Sequence, residues 1–547
     1  MSKPIPSLTL RVGVIVLGQP ALGHLRCEML RAVLASVMAL ACLPAWAADN
    51  PTLPMPGVAP ALAGPRPVES SKTIFAGPEL SEAAIHLPPS QPEPRDKLLP
   101  INLATALRLS GARPLLIDAA QASLALAAAQ LEKARLLWLP SMAGGVGYYR
   151  HDGATQGQSG TFYINTKEQF MVGGGFHADV SGADALFAPL AARQIVRARQ
   201  ADVDTARNEA LFATAQAYFK VQDARGHLAG TEDVVDKGRK LADKVKGLNL
   251  GQVAPTDIDR ARALLADYEQ TLDTEREAWR IASADLTQVL RLDPTAVVVP
   301  LEPPQILITL VSPTSPVDAL IPIGLTHRPE LASQRALVQA ALARIRQERM
   351  RPLVPSLILE GAPGAAGPGN YMMGGLFASG VHGEGNPTSA RDDISLGLFW
   401  GVENLGFGNR ALVHARQAEQ RQMLVELFRI QDSVAADIAR AHAHLISATD
   451  RLGKVENELR EAQLAYRGGL ENLGKVVNVG DSKLQVSRVL DVISSIQAMA
   501  RAYDNYFDSI SLYNTAQFSL FRALGYPANF LACSDAMSPS APGRGPG

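Results

Sequence analysis

The chain has 547 residues, and its 52 lysines and arginines are balanced by 53 aspartates and glutamates. A balanced charge gives no global reason to expect a nucleic acid as partner. The three cysteines, Cys27, Cys42 and Cys533, have no spacing typical of a disulfide framework or a zinc site. Aromatic residues make up only 5% of the chain and alanine is abundant, which favours long helices.

The N-terminal region predicts export. Arg31 precedes an apolar run from Ala32 to Leu43, and Ala45-Trp46-Ala47 follows as a small-x-small cleavage pattern. Residues 1–47 are therefore predicted to be a signal peptide, and the mature chain is expected to start near Ala48.

Lipidation at Cys42 is an alternative use of the same region, because Ala39-Leu40-Ala41-Cys42 is a weak lipobox. Beyond this region, no apolar stretch is expected to reach the ~20 residues that a membrane-spanning helix needs. We therefore expect a protein that is exported but not anchored by helices.

A proline-rich arm and a helix come next. Residues 48–100 contain many prolines, which is typical of an extended or disordered segment. A helix is predicted from Asn102 to Trp138, with a break near Gly111-Pro114.

Strands are predicted in the first half after Ser141, where glycines and tyrosines replace the alanine-rich pattern. Apolar and polar residues then alternate with the period of two that predicts a half-buried strand. The apolar members of this alternation are Phe170, Val172, Phe176, Ala178 and Val180.

The second half repeats this plan. Leu357 and Leu359 alternate around Ile358, a glycine-rich loop is predicted from Gly361 to Pro387, and a further alternation follows. Each half thus carries two strands of about ten residues, the length with which a tilted β-strand crosses a membrane. A pair of soluble hairpins is the alternative, and the export signal and the repeat favour membrane strands. The second alternation consists of Ile394, Leu396, Leu398 and Trp400.

Long helices are predicted after each strand pair, over residues 191–250, 255–292, 409–467 and 486–524, none of which contains a proline after its first turn. A helix of about 60 residues is about 90 Å long. These helices are too long for a globular domain and predict an elongated antiparallel bundle or coiled coil.

The chain is duplicated. Arg113-Pro114 opens a segment that ends at Leu139-Pro140-Ser141, and Arg328-Pro329 opens another that ends at Val354-Pro355-Ser356, with an offset of 215 residues at both ends. This period is too long for a solenoid unit and indicates two half-molecules. We expect a first repeat over 101–294, a linker over 295–320, a second repeat over 321–527 and a disordered tail over 528–547.

The turn between the first pair of long helices carries a distinctive sequence, which runs from Leu250 to Arg262. Gly251 is suited to end one helix, Pro255 to begin the next, and Thr256 and Asp257 favour a helix N-terminus.

The same turn, Gly-x-Val-Ala-x-Thr-Asp-Ile-x-x-Ala-Arg, resembles the periplasmic tip of the TolC family of outer-membrane efflux proteins. The duplicated Pro…Leu/Val-Pro-Ser segments, the strand pairs and the helical hairpins are also similar to that family, over about Ile101 to Pro527. The resemblance implies a mainly α fold with a small membrane β-barrel. Three chains would each give four strands and two helical hairpins to one α/β-barrel tube in the outer membrane of a Gram-negative bacterium, extending into the periplasm.

The second tip departs from the first, because the second half is sixteen residues longer between matched anchors and the surplus lies near 470–487. We expect a bulge or a local helix there, although longer helices are the alternative. The resemblance matches Tyr466-Arg467-Gly468-Gly469 and Val489-Leu490-Asp491-Val492 to the family's second tip, while Ser494 stands at a position that is often acidic.

The resemblance also assigns roles to individual residues. Tyr466 and Asp491 would belong to the pore gate. A periplasmic adaptor would dock on the tips through Gly251, Val253, Ala254, Thr256, Asp257, Gly468 and Gly469.

The resemblance implies that the protein is the exit channel of a tripartite efflux system. Its partners would be two further copies of the chain, an adaptor, an inner-membrane pump of the RND or ABC type, and outer-membrane lipid. A channel for type I protein secretion is the alternative, and a periplasmic adaptor is a third, less favoured class.

Enzymatic chemistry is not predicted. Gly469–Val476 resembles a phosphate loop but lacks its final Ser/Thr and a preceding strand. His442 and His444 lie on different helix faces, which argues against a metal site. We therefore expect no catalytic residues and no cofactor.

Overall fold

The computed structural model describes residues 87, 90, 92–94, 96–112, 115–248, 254–360, 374–381, 389–392, 395–479 and 482–525. Several predictions lie outside these residues: the signal peptide, Cys42, most of the proline-rich arm, Gly251 and Val253 of the first tip, and the C-terminal tail.

Helices dominate the described part of the chain and alternate with two groups of strands. In chain order the elements are β1 (Lys97–Ile101), α1 (Leu103–Ala112), α2 (Leu115–Arg135), β2 (Ser141–Gln156), β3 (Phe162–Ser181), α3 (Gly182–Lys246), α4 (Pro255–Leu290), β4 (Ala296–Pro300), α5 (Val317–His327), α6 (Pro329–Met350), β5 (Ser356–Glu360), β6 (Gly374–Val381), β7 (Ser389–Asp392), β8 (Ser395–Phe399), α7 (Phe407–Asn472), β9 (Val476–Val479), β10 (Ser482–Gln485) and α8 (Val489–Ala523).

The four long helices occur where the sequence predicts them. Helix α3 begins at Gly182, earlier than the predicted Ala191, and continues through Pro189. The earlier start has a local cause, because the Ser181 hydroxyl accepts a hydrogen bond from the backbone N–H of Asp184 and so caps the helix.

Six of the described strands, β2, β3 and β5 to β8, form one antiparallel sheet. β2 pairs with β3 along its whole length, and the two ends of β3 pair with β5 and β6. β8 and β7 then pair with β5 and β6 in turn. β6 lies inside the segment predicted to be a glycine-rich loop, because its alternation is masked in the sequence by glycine and serine.

The sheet register places apolar residues in rows across the strands. Val180, Leu357 and Leu398 are aligned, whereas on the other face Ser181 is aligned with Ser356. Farther along the sheet, Val146 is aligned with the apolar partners Val172 and Leu376. The period of two along each strand thus becomes an apolar face and a more polar face of the whole sheet.

The predicted linker is an ordered part of the core. β4 pairs in parallel with β1, and this two-stranded sheet packs on the helices. The indole N–H of Trp279 donates to the Val298 carbonyl at 2.9 Å, and the Ser283 hydroxyl accepts from the Val298 N–H at 3.1 Å. The end of the predicted arm and the predicted linker therefore form a belt that packs on α3 and α4. The sequence does not reveal this belt, because it depends on parallel pairing between two distant segments.

Two buried amides on α8 fix the continuation of this belt. Asn514 accepts from the Ile308 N–H at 2.9 Å and donates to the Ile306 carbonyl at 2.8 Å. Gln517 accepts from the N–H groups of Leu310 and Val311 at 3.0 and 2.9 Å. The connection between the two halves is therefore bound along its backbone by one helix.

Helix α7 contacts α8 through a heptad seam. Its buried residues recur at alternating intervals of four and three from Val434 to Tyr466, which is the spacing of a coiled coil. The members of this seam are Val434, Ile438, Ala441, Leu445, Ala448, Leu452, Val455, Leu459, Ala462 and Tyr466.

The start of α3 is fixed to the end of α6, beside the second Pro-Ser junction. Asp184 accepts hydrogen bonds from Gln347 Nε2 at 2.7 Å and from both terminal nitrogens of Arg351 at 2.7 and 3.2 Å. Burial by itself raises the pKa of the Asp184 carboxyl, but the hydrogen bonds from Gln347 and Arg351 outweigh it and hold this pKa below its ordinary value. The two halves of the duplication are thus joined by a charged contact at the base of the sheet.

One described stretch differs from the expectation for membrane helices. By length and composition, Leu103–Trp138 is apolar enough to cross a membrane, although it runs over the undescribed residues 113 and 114. Its hydropathy comes largely from alanine and leucine, and one stretch of this kind is weak evidence for a span.

Helix α3 approaches α8 closely at Gly226. A Cβ atom at this position would lie 2.4 Å from Cδ1 of Phe507, so only glycine fits without movement of the ring. We expect Gly226→Ala to destabilise the fold by about 1–3 kcal/mol through overpacking.

Gly453→Ala on α7 is the matched control, since no atom lies within 4 Å of its Cβ position. There alanine is expected to stabilise the helix by about 0.5–1 kcal/mol. Thermal unfolding followed by circular dichroism compares the two variants, and equal midpoints would contradict the close contact.

Candidate functional site

The first helical hairpin turns between α3 and α4. Helix α3 ends at Lys246, and Ala254 lies in an extended conformation as the residue that precedes α4. Ala254 and Thr256 are exposed, while Asp257 is half-buried and accepts a hydrogen bond from Arg260 at 3.0 Å. The described tip residues thus form an accessible helix N-terminus.

The second helical hairpin turns through a small β-hairpin. β9 and β10 pair antiparallel with Val479 opposite Ser482, and Lys475 accepts a hydrogen bond from the Val486 N–H at 3.0 Å. The inserted residues therefore form strands, and the local helix expected from the sequence does not occur here. Two sequence features are typical of a β-hairpin: the β-branched residues of Val476-Val477-Asn478-Val479 and the two residues Gly480-Asp481 that follow them.

The two tips contact each other. Lys244 near the end of α3 donates to the Leu470 carbonyl near the end of α7. Gly474 has a positive φ of 84°, and a Cβ there would lie 2.7 Å from Cδ2 of Leu248. Glycine therefore permits both the turn of the chain and the close approach of the second tip to the first.

Of the tip residues that the resemblance selects on the second hairpin, Gly468 and Gly469 lie in the last turn of α7, next to this contact. A Cβ atom at Gly468 would meet open space, whereas a Cβ atom at Gly469 would lie 3.4 Å from Cγ2 of Val492 on α8. Only Gly468 would accept a larger side chain without a contact inside the chain.

Tyr466 is buried between the hairpins. Its hydroxyl donates to the Lys237 carbonyl at 3.4 Å, and the Lys237 ammonium lies 5.7 Å from its ring centroid. Burial, together with the negative charges of Asp236 and Asp233, raises the pKa of Tyr466 to about 12. Tyr466 therefore remains a neutral hydrogen-bond donor that links α7 to α3.

A second tyrosine extends this link to α8. The Tyr503 hydroxyl donates to Asp233 at 2.7 Å and accepts from Gln463 Nε2 at 3.1 Å, while Asp233 also pairs with Lys237. Burial first, and then the neighbouring Asp233, raise the pKa of Tyr503 well above its usual range. Tyr503, Asp233 and Lys237 were not predicted from the sequence, although the i,i+4 spacing of Asp233 and Lys237 is typical of an ion pair on a helix.

Asp491 lies apart from these tyrosines, at the start of α8. Its carboxylate accepts a hydrogen bond from the Arg488 N–H at 2.9 Å and is exposed. The structure thus gives Asp491 a capping role and leaves part of its carboxylate open to solvent.

The comparisons with known proteins agree with this architecture. Residues 108–290 match the family described as "Outer membrane efflux protein". None of the curated proteins matches the chain in sequence.

Among solved structures, the CusC transmembrane channel has a TM-score of 0.63 at 16% identity, covering 80% of this chain and 95% of its own. The open outer-membrane channel MtrE of Neisseria gonorrhoeae has 0.61 at 17%, with 78% and 89% covered. The outer-membrane protein VceC of Vibrio cholerae has 0.60 at 15%, with 77% and 96% covered.

The chain therefore has the fold of the outer-membrane channel MtrE and of the CusC transmembrane channel. Within residues 108–290 the chain resembles the outer membrane efflux protein family. The mainly helical, TolC-like fold expected for the single chain is thereby confirmed, whereas the outer-membrane location stays a prediction.

Proposed function

We propose that the chain is the exit channel of a tripartite efflux system and passively conducts substrates across the outer membrane. The observation that carries this proposal is the combination of an amphipathic six-stranded sheet with two helical hairpins that end in accessible tips. Membrane strands provide a pore, and long hairpins provide reach toward an inner-membrane pump.

Three copies would form the tube. The helices of one chain pack in the order α2, α3, α6 and α7, so that α2 and α7 are the two ends of a layer. Both end helices expose large apolar side chains, including Leu116 and Leu126 on α2 and Val425 and Phe428 on α7. Exposed apolar patches of this kind mark interaction surfaces, and joining α2 of one copy to α7 of the next would cover them.

A gate at the second tip follows from the buried links between the hairpins. Tyr466 and Tyr503 hold α7 and α8 against α3, and Asp491 would add a ring of negative charge in a trimer. We expect Asp491→Ala to increase the conductance of the closed pore and to weaken its block by cations, measured on single channels. Unchanged conductance and block would assign the constriction to other residues.

An adaptor would dock on the two tips. Ala254 and Thr256 are exposed beside the undescribed Gly251 and Val253, and the β-hairpin beyond Gly468 makes the second tip different from the first. This difference would give the channel its own choice of adaptor, followed by a pump of the RND or ABC type.

Thr256→Arg is expected to abolish export while trimers remain intact, because a bulky charge would occupy the docking surface. Thr274→Arg is the matched control: it places the same exposed change on the same helix, 18 residues or about 27 Å farther from the tip. Export is measured in a deletion strain complemented with each variant.

The phenotype of that strain distinguishes the classes of substrate. Sensitivity to drugs or metal ions that wild-type protein reverses supports efflux, whereas loss of a secreted protein would assign type I secretion instead. Full export by Thr256→Arg, or equal loss in both variants, would contradict docking at this tip. A periplasmic adaptor is disfavoured, since such proteins have one hairpin and lipoyl-like β segments while this chain has two hairpins and a membrane-type sheet.

A further inference from the structure

A histidine between the two helical hairpins is surrounded by carboxylates. His227 on α3 lies against Asp223 of the same helix and against Asp504 and Asp508 of α8. Phe507 of α8 also lies near this histidine, and its ring centroid is 6.4 Å from that of His227. This cluster lies within α3 and α8 next to Tyr503, and it is separated in sequence from the turns at the two tips.

The distances within the cluster are those of ligands around a shared ion. His227 Nε2 lies 3.5 Å from Asp223 Oδ1 and 3.3 Å from Asp508 Oδ1. Both distances exceed the usual hydrogen-bond length of about 2.9 Å, and one N–H cannot donate well to two carboxylates. They match the edge of about 3.4 Å that a tetrahedral site with bonds of about 2.1 Å requires.

Two ligand atoms of this cluster have ion-pair neighbours but no hydrogen bond inside the protein. His227 Nε2 and Asp223 Oδ1 are both inaccessible to solvent and form no hydrogen bond of acceptable geometry. Buried polar atoms are normally paired, so an orphaned nitrogen and an orphaned oxygen that face one point indicate a missing group between them.

The other nitrogen of the ring has the partner that metal-binding histidines usually have. Nδ1 of His227 lies 3.4 Å from Asp504 Oδ1. A carboxylate at this nitrogen orients the ring and increases the basicity of the opposite nitrogen, as in carboxylate–histidine–zinc arrangements.

The local charge also favours a cation. Three aspartates face one histidine, and Glu275 of α4 adds a fourth carboxylate close enough to sense all of them.

We propose that Asp223, His227 and Asp508 bind one divalent cation of the Zn²⁺ type, with water as the fourth ligand. One imidazole nitrogen and two carboxylate oxygens, all within 4.8 Å of one another, suit Zn²⁺ better than Ca²⁺ or Mg²⁺, which prefer six or more oxygens. The His227 Nε2 proton is released to solvent as the metal–nitrogen bond forms. The side chain of Asp508 is 64% exposed, which leaves a path for the ion and for the water ligand.

The ion would join the two hairpins. Asp223 and His227 belong to α3 of the first hairpin, whereas Asp508 belongs to α8 of the second. Because the folded chain binds the ion at a site that the unfolded chain lacks, occupancy would raise the unfolding temperature. The metal would thus fix the position of one hairpin relative to the other, and the proposed gate depends on that position. The metal site itself does not rest on the proposed channel function.

Full-length protein, purified in detergent and freed of metal with EDTA, is titrated with ZnCl₂ in a calorimeter and with CoCl₂ in a spectrometer. One ion per chain is expected, with the intense visible absorption of tetrahedral Co²⁺. His227→Gln and the more exposed Asp508→Asn are each expected to weaken binding at least ~10-fold.

His444→Gln on α7 is the matched control, because His444 is exposed and distant from the cluster in sequence. It should bind as the wild type does. Helix content and trimer size check that each variant folds, and Asp508→Asn keeps the test valid if His227→Gln does not fold. Absence of binding by the wild type, or equal affinity in His227→Gln and His444→Gln, would overturn the proposal.

Discussion

Gln517→Leu is expected to lower the free energy of unfolding by about 3–5 kcal/mol, the largest loss of stability for any single change considered. The side chain of Gln517 is fully buried and bonds three backbone groups of the belt, namely the N–H groups of Leu310 and Val311 and the Val311 carbonyl. Leucine has a similar volume, so the loss comes from unpaired buried groups and not from a cavity. The whole stability of a domain is about 5–15 kcal/mol, so this is a large fraction.

Gln497→Leu makes the same change on the same helix at an exposed position, and it should leave stability within about 0.5 kcal/mol of the wild type. Unfolding in detergent measures both variants, and hydrogen exchange at the Leu310 and Val311 amides localises the effect. Slow exchange of these two amides in Gln517→Leu would show that the belt is held by other contacts.

Val146→Arg is expected to keep the chain out of the outer membrane. Val146 lies at the β2 end of an apolar row that runs across β2, β3 and β6, and it is 67% exposed in the single chain. An arginine on the lipid face near the bilayer midplane costs about 2–4 kcal/mol per chain, and a trimer would carry that cost three times.

Asp179→Arg tests the opposite face of the same sheet. Asp179 is exposed and alternates with the buried Ala178 and Val180, so an arginine there would face the pore and not lipid. Membrane fractionation and the heat-dependent gel mobility of folded barrels measure insertion. Equal insertion of the two variants would contradict the assignment of the apolar face to lipid.

The long elements were predictable because their periodicity is local. Four helices with few breaking residues and strands such as Phe170–Val180 carry their pattern within the sequence itself. The duplication further supported the prediction of strands, because the same Pro-Ser junction precedes a strand in each half.

Elements that depend on distant partners were not predictable. β1 and β4 are five residues each and pair in parallel across the whole first repeat, so neither has a local signal. β9 and β10 lie in an insertion without a counterpart in the first half, and their short valine-rich run adjoins a helix end. In both cases tertiary pairing, and not propensity, decides the structure.

Side-chain networks between the hairpins were missed for a related reason. Asp223 and His227 are four residues apart on α3, and so are Asp504 and Asp508 on α8. Each pair alone is an ordinary feature of a helix surface. Only the packing of α3 against α8 brings the pairs together, and the same packing joins Tyr503 to Asp233.

Recording from purified protein in a planar lipid bilayer tests the central claim most directly, because it asks whether the chain alone forms a pore. We expect discrete current steps whose number grows with protein concentration, and a reduction of these currents by divalent or larger cations if acidic groups ring the pore. A bilayer that remains sealed in the presence of well-folded trimers would contradict the account.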